Sequence, residues 1–307
     1  MSLIQNQNQI SQHLIDEHDQ YITSSSRCIQ FEIQAALIPD QYRFEYESAR
    51  KLAKIVEGFV DSKSVEEYFV YFHGISDTEY EVIEKALRRA AVRGRVRFTF
   101  EAALDAAILR ISPGNEHSLV SCNFDTRLMR KMTSIPGHDW DSVMGLRAAL
   151  FQDVGVRSKE GDQSYRPHTR RGGGEAWPSV MMEVGYSGGI DFLRLDAEWW
   201  LVHSQGQTRF VIIGKVERDP FTLHFECWMM VESGRRETRR TPNRIPRRVQ
   251  DFDIDEAGVV VSTLGCTELE IPYDCIFDGP GPDPPLPPVT FSFAELSDFG
   301  VWMFRFL

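Results

Sequence analysis

The sequence predicts an α/β chain built around a parallel pair of strands, and three adjacent stretches carry that expectation. Val180-Met181-Met182-Glu183-Val184 is apolar except for Glu183, with Pro178 ahead and Gly185 behind as breakers. After the turn Tyr186-Ser187-Gly188-Gly189, residues 189–203 place Ile190, Leu193, Ala197, Trp200 and Leu201 at helical spacing. Ser204-Gln205-Gly206-Gln207 breaks that helix, and 209–216 is a second apolar strand ending Gly214-Lys215-Val216. Strand, helix and strand with short links form a crossover unit, which implies a parallel pair. Glu183 then falls at the carboxyl end of a central strand, where sites of α/β proteins are built. A charge there must reach water, an opposite charge or a metal.

The remaining elements follow from pattern. Residues 1–27 are polar, with Gln5-Asn6-Gln7-Asn8-Gln9 and Thr23-Ser24-Ser25-Ser26, and predict a disordered or frayed start. Residues 29–33 alternate as a short strand. Pro39-Asp40 opens a helix with Tyr42, Tyr46, Ala49, Leu52, Ala53 and Val56 on its apolar face. A second helix over 78–93 turns Tyr80, Ile83, Leu87 and Ala90 inward, beside a basic stripe read as a solvated face. Residues 95–100 and 106–111 form a hairpin around Leu104-Asp105. Asn115 then caps a helix over 116–132 that buries Leu119, Val120, Phe124, Leu128 and Met132. Further strands are expected at 221–231, 259–262 and 269–271. Residues 278–288 are a proline-rich extended linker. Residues 291–307 read as a C-terminal helix, docked on the body or exposed for a partner, and opened by a capping box from Ser292 to Glu295.

Composition bounds the function. With 307 residues, 42% of them hydrophobic, the chain can bury one large core or two small ones. No apolar run reaches membrane-spanning length and no signal-peptide pattern opens the chain. The five cysteines are dispersed with no CxxC, as in reduced proteins of the cytoplasm or nucleus, and no His/Cys spacing suits zinc. The net charge of −11 argues against a general nucleic-acid coat. Yet 234–250 holds Arg235, Arg236, Arg239, Arg240, Arg244, Arg247 and Arg248 against the single acid Glu237. That stretch reads as a solvated arginine loop, a phosphate-contacting loop or a nuclear import signal.

One pattern goes further. Lys159-Glu160-Gly161-Asp162-Gln163-Ser164-Tyr165-Arg166-Pro167 puts an Asp at the entry of a short strand, and 20 residues separate it from Glu183. With Trp177-Pro178-Ser179, Gly185, Ser187, Leu193-Arg194, Asp196-Ala197 and Trp199-Trp200-Leu201, the chain resembles the PD-(D/E)xK, or restriction-endonuclease-like, nuclease superfamily. It is most similar to uncharacterised fungal members. The resemblance spans about 95–307 in looser form. It implies a mixed sheet flanked by helices over 95–277, preceded by a strand and helix segment at 28–94 and followed at 278–307 by the linker and C-terminal helix. It also implies a strand near 148–152.

The implied activity is metal-dependent phosphodiester hydrolysis on DNA or RNA. Such chemistry needs a hard divalent cation, Mg²⁺ or Mn²⁺, held by oxygens to activate water and offset developing charge. The resemblance assigns Asp162 and Glu183 as ligands, with the main-chain carbonyl of Val184 and an acid on the preceding helix, Glu116. Glu116 reads equally as an acid favoured by the helix dipole. A lysine is expected two residues after the Glu, but Gly185 stands there, and Gly161 replaces the expected proline. Arg194 on the next helix and Lys215 on the next strand are the candidate replacements. Arg194, one step round from the buried stripe, is expected to lean towards Glu183 as clamp or ion-pair partner. The rival reading is a non-catalytic binding module on the same frame. Ser187, in Gly185-Tyr186-Ser187-Gly188-Gly189, only approaches GxSxG: it lies four residues past Glu183 rather than in a strand-end elbow.

Overall fold

The computed structural model describes residues 29–62, 67–112, 116–147, 149–153, 157–168, 176–186, 189–234, 244–277 and 285–307. The expectations for 1–27, Ser187, Arg235, Arg236, Arg239, Arg240 and most of the linker lie outside these residues. Among the described residues no helix is long and apolar enough to cross a membrane.

The N-terminal part supplies helices α1 (Ile29–Ala36), α2 (Ala49–Val60) and α3 (Tyr80–Arg89), and strands β1 (Arg43–Glu45), β2 (Tyr68–His73), β3 (Val96–Glu101) and β4 (Ala106–Ile111). Helix α4 (Glu116–Met132) follows. Then come β5 (Val143–Gly145), β6 (Leu150–Asp153), β7 (Arg157–Glu160), β8 (Gln163–Pro167) and β9 (Val180–Tyr186). Helix α5 (Ile190–His203) leads to β10 (Phe210–Arg218), β11 (Phe221–Glu232), β12 (Arg244–Asp255), β13 (Val260–Val261) and β14 (Glu268–Ile271). The chain closes with α6 (Tyr273–Phe277), β15 (Val289–Ser292) and α7 (Phe293–Met303).

The architecture is mixed α/β, with two mixed sheets flanked by helices. One sheet runs β1-β2-β4-β3-β7-β6, the other β13-β12-β11-β10-β9-β8-β5, and β14 pairs with β15. Among the described residues only β1–β2 and β9–β10 are parallel, the latter being the predicted pair joined through α5. Strands on either side of position 94/95 pair within one sheet, β2 with β4.

Period-two alternation explains the layering. Val180, Met182, Val184, Phe210 and Ile212 face α4 and α7, where they meet Phe124, Leu128, Leu296 and Phe299. The alternate residues Met181, Val211 and Ile213 face α5 and its Leu193, Ala197 and Trp200. In the first sheet Val70, Phe72, Phe98 and Leu109 bury α2 and α3. Its opposite face, Ala106 and Ile108, packs with Phe31 of α1 and Phe192 of α5. Phe192 also stacks on Phe69 with ring centroids 3.9 Å apart. Helix α5 therefore lies between the two sheets and is buried on most of its circumference.

Several local readings change. Residues 29–33 are helical, because Phe31, Ala35 and Ile38 pack at helical spacing and outweigh the apparent alternation. The helix foreseen from Asp40 is a 3-10 turn, then β1, then α2, whose start Ser48 caps by accepting from the Lys51 N–H at 3.3 Å. The arginine-rich 244–255 is half of a long β11–β12 hairpin rather than a loop. Of the strands expected at 259–262 and 269–271, β13 is the edge of the large sheet, and β14 pairs with β15. The capping box from Ser292 to Glu295 is present, one strand later than the apolar run begins.

Candidate functional site

Asp162 lies in the two-residue link where the chain passes from β7 in one sheet to β8 in the other. The β8–β9 register pairs Gln163 with Met182; carried one residue on, it sets Asp162 across from Glu183. The two predicted acids are brought together. Glu183 is not at a strand end, however: β9 continues to Tyr186, and Glu183 is fully buried under α5. The Tyr186 N–H donates at 3.0 Å to Glu67, which closes the far end of β9.

Cations and N–H donors already meet both carboxylates. One nitrogen of Arg110, Nη2, is 2.5 Å from Asp162 Oδ2 and 3.4 Å from Glu183 Oε2. Arg97, directly across from Arg110 on β3, donates to Asp162 Oδ1 at 3.1 Å, and the Val184 N–H donates to Oδ2 at 2.9 Å. The Trp200 indole N–H donates to Glu183 Oε1 at 2.7 Å. Lys159 Nζ is 3.9 Å from Glu183 and 2.8 Å from Asp196, which also accepts from Gln34 at 2.6 Å. Asp162, Glu183, Arg110, Lys159 and Asp196 are each at most 5% exposed. Burial, with the neighbouring acids Asp162 and Asp196, pushes the Glu183 carboxyl up to about 8 against the pull of Lys159 and Arg110.

This donor set does not fit a divalent ion. The oxygens that would ligate it accept hydrogen bonds from Arg110, Arg97, Val184 and Trp200, and Arg110 holds the position between the two acids. Among the described residues no three of His, Cys, Asp and Glu converge as a cage. The side chain of Glu116 lies outside the described residues; its backbone opens α4.

The lysine expected at 185 has no room. A Cβ on Gly185 would stand 2.8 Å from Leu193 Cδ1, because α5 rests on this strand. A Cβ on Gly161 would fall 2.2 Å from Met181 Cε and 3.6 Å from Glu183 Oε1, so the glycine lets β9 and α5 close over Asp162.

Arg194 and Lys215 lie elsewhere. Arg194 does not lean to Glu183. It donates to Glu226 on β11 at 2.6 Å and lies 3.5 Å from Asp191, because its step round the helix points it across the sheet. Lys215, paired in register with Gly185, ion-pairs with Glu217. Both line an open pocket of about 720 Å³ at the carboxyl end of β10, together with His224, Asp253 and Asp255. Beneath it, buried Glu226 accepts from Arg194, from Arg248 at 3.0 Å, from Trp228 at 2.9 Å and from His224 at 3.2 Å. Burial opposes ionisation of Glu226, but these donors hold its carboxyl well below the usual range. Burial likewise opposes a charged His224, yet hydrogen bonds to Asp253 and Glu226 raise it to about 9.

Of the predicted phosphate-contacting arginines, Arg248 therefore turns inward. Arg244 is exposed and donates to the Met230 carbonyl at 2.7 Å, and Arg247 is exposed. Sequence reasoning missed Arg110, Glu226 and the role of Lys159. The signal for Arg110 was available: one charge inside Ala106-Ala107-Ile108-Leu109-Arg110-Ile111 demands a buried acid. No family model matches the chain, and no curated protein matches it.

Proposed function

We propose that this chain is a non-catalytic binding module on a restriction-endonuclease-like frame, in which Asp162 and Glu183 serve structure rather than metal chemistry. The observation that carries this reading is the single Arg110 nitrogen between both acids. A guanidinium there supplies the positive charge that a divalent ion would supply, and it does so permanently. It offers no open coordination position at which water or a phosphate oxygen could be activated.

The test is cleavage of single- and double-stranded DNA and RNA with Mg²⁺ or Mn²⁺ by wild type and Glu183→Gln, with Mn²⁺ titration calorimetry alongside. Equal, background-level cleavage and equal heats are expected. Cleavage by wild type that Glu183→Gln abolishes would overturn the reading.

One observation favours phosphodiesterase activity instead. Lys159 Nζ, 3.9 Å from Glu183, completes an Asp-Glu-Lys set from a position upstream of Asp162 rather than from 185. In that reading Mg²⁺- or Mn²⁺-dependent cleavage is abolished equally by Lys159→Met and Glu183→Gln. Arg194→Ala then leaves it intact, since Arg194 serves Glu226.

A further inference from the structure

A groove of about 570 Å³ runs between the C-terminal half of α4 and the segment entering β15. Arg127, Arg130 and Lys131 line its helical wall, on one face because positions three and four apart lie about 5–6 Å from each other. Two of these cations are positioned in advance. The Arg127 guanidinium lies 5.4 Å over the Phe299 ring, and the Lys131 ammonium lies 4.8 Å over Phe291 and 2.6 Å from Glu295. Positioning before binding lowers the ordering penalty of a complex. Among the described residues the ion pairs include Lys131 but neither Arg127 nor Arg130. In a chain of net charge −11 this is a local excess of positive charge facing a cavity.

The opposite wall is Pro287, Pro288 and β15. β15 pairs with β14 along one side, and among the described residues no strand pairs along the other. Val289 and Phe291 are 3% and 2% exposed, so their side chains belong to the core. An open strand edge pairs with an extended chain through N–H and C=O groups.

We propose that this groove docks a short, extended, acidic segment of a partner protein, with its main chain on the β15 edge and its carboxylates on Arg127 and Arg130. Arg127 and Lys131 are about 6 Å apart along the helix, which matches about two residues of extended chain. Cations strung along a helix suit a row of carboxylates better than one compact anion, where they would have to converge. The proposal is independent of the role of Asp162 and Glu183.

The experiment is fluorescence anisotropy with the full chain. Its probe is a labelled peptide of about eight residues alternating Glu and Val, long enough to overhang the groove. Its controls are the same peptide N-methylated at alternate amides, a Lys/Val peptide and an oligothymidylate of matched charge. The Glu/Val peptide is expected to bind and the Lys/Val peptide not to. Arg130→Glu and the pair Arg127→Glu with Arg130→Glu should weaken binding by about tenfold or more, the size of a lost charge-assisted contact. N-methylation should weaken it comparably, because it removes the main-chain donors that pair with the strand edge. Arg130 is exposed, so Arg130→Glu should melt as wild type does. No binding of the Glu/Val peptide, binding indifferent to the substitutions or to N-methylation, or oligothymidylate binding that is tighter and lost in Arg130→Glu would each overturn the proposal.

Discussion

Arg110 is a buried charge with two buried acids, and truncating it should be expensive. Arg110→Ala leaves Asp162 and Glu183 facing each other, and a loss of about 3–5 kcal/mol is expected in urea unfolding. If the guanidinium stands in for a divalent charge, Mn²⁺ should raise the melting temperature of Arg110→Ala more than that of wild type. Equal shifts would remove that equivalence. Glu183 predicts a pH dependence. Its folded pKa of about 8 lies above the ordinary 4.5, so between these values the folded chain holds a proton that the unfolded chain has released. Stability must then fall as pH rises through that window. His224, raised from 6.5 to about 9, acts in the same direction: its contribution is complete below 6.5 and lost through 9. Melting temperature should therefore decline from pH 5 to 9. Glu183→Gln, which keeps an acceptor for Trp200, should flatten the decline below pH 8. A variant that tracks the wild-type slope would show that Glu183 does not titrate in this range. At this scale the sequence was half legible. The two acids declared themselves as charges in apolar or turn-bounded stretches. Arg110 was equally visible as the one charge in its apolar strand, but the pairing was not, because Arg110 is 52 residues before Asp162 and 73 before Glu183, and no local pattern spans that gap.

Helix α5 sets what the β9 strand can carry. Gly185→Ala should be destabilising by about 1–3 kcal/mol, the usual penalty of overpacking, because the added methyl meets Leu193. Leu193→Ala combined with it should recover part of that loss in a double-mutant cycle; strict additivity would mean the two do not collide. Glu226→Gln should be worse tolerated than Arg194→Ala. The first leaves Arg194, Arg248 and His224 without their shared acid, while the second removes only one of the four donors to buried Glu226, and that donor is itself one-third exposed. Thermal melts of the two variants decide the order. Elements whose pattern is local were legible: the β3–β4 hairpin, α4, the parallel β9–β10 pair and the capping box at Ser292. β12 was not, because Arg244, Pro246, Arg247 and Arg248 read as a solvated loop. It is a strand because β11 supplies a full-length partner and Glu226 and Asp251 receive Arg248. α1 failed for the opposite reason: five residues of alternation fit a strand and a helix alike, and only packing against Phe192 and Ile108 decides.

At the scale of the molecule, the two sheets share α5, and the chain passes between them from β4 to β5, from β5 to β6 and, at Gly161 and Asp162 inside the ion cluster, from β7 to β8. No periodicity in the sequence announces that 157–167 is two strands of two different sheets, since each is only four or five residues long. The seam between the sheets is thus held by Arg97 and Arg110 from one side, Glu183 from the other, and Asp162 in the link itself. Charges in a dry seam hold only while water is kept out, and admitting water weakens every pair together. The joint should then behave as a single latch for cooperativity. In hydrogen exchange the Val184 and Tyr186 amides, bonded to Asp162 and Glu67 across it, should open only with the whole protein. Weakening the latch should let the halves come apart in sequence, with Arg110→Ala melting in two steps where the parent melts in one.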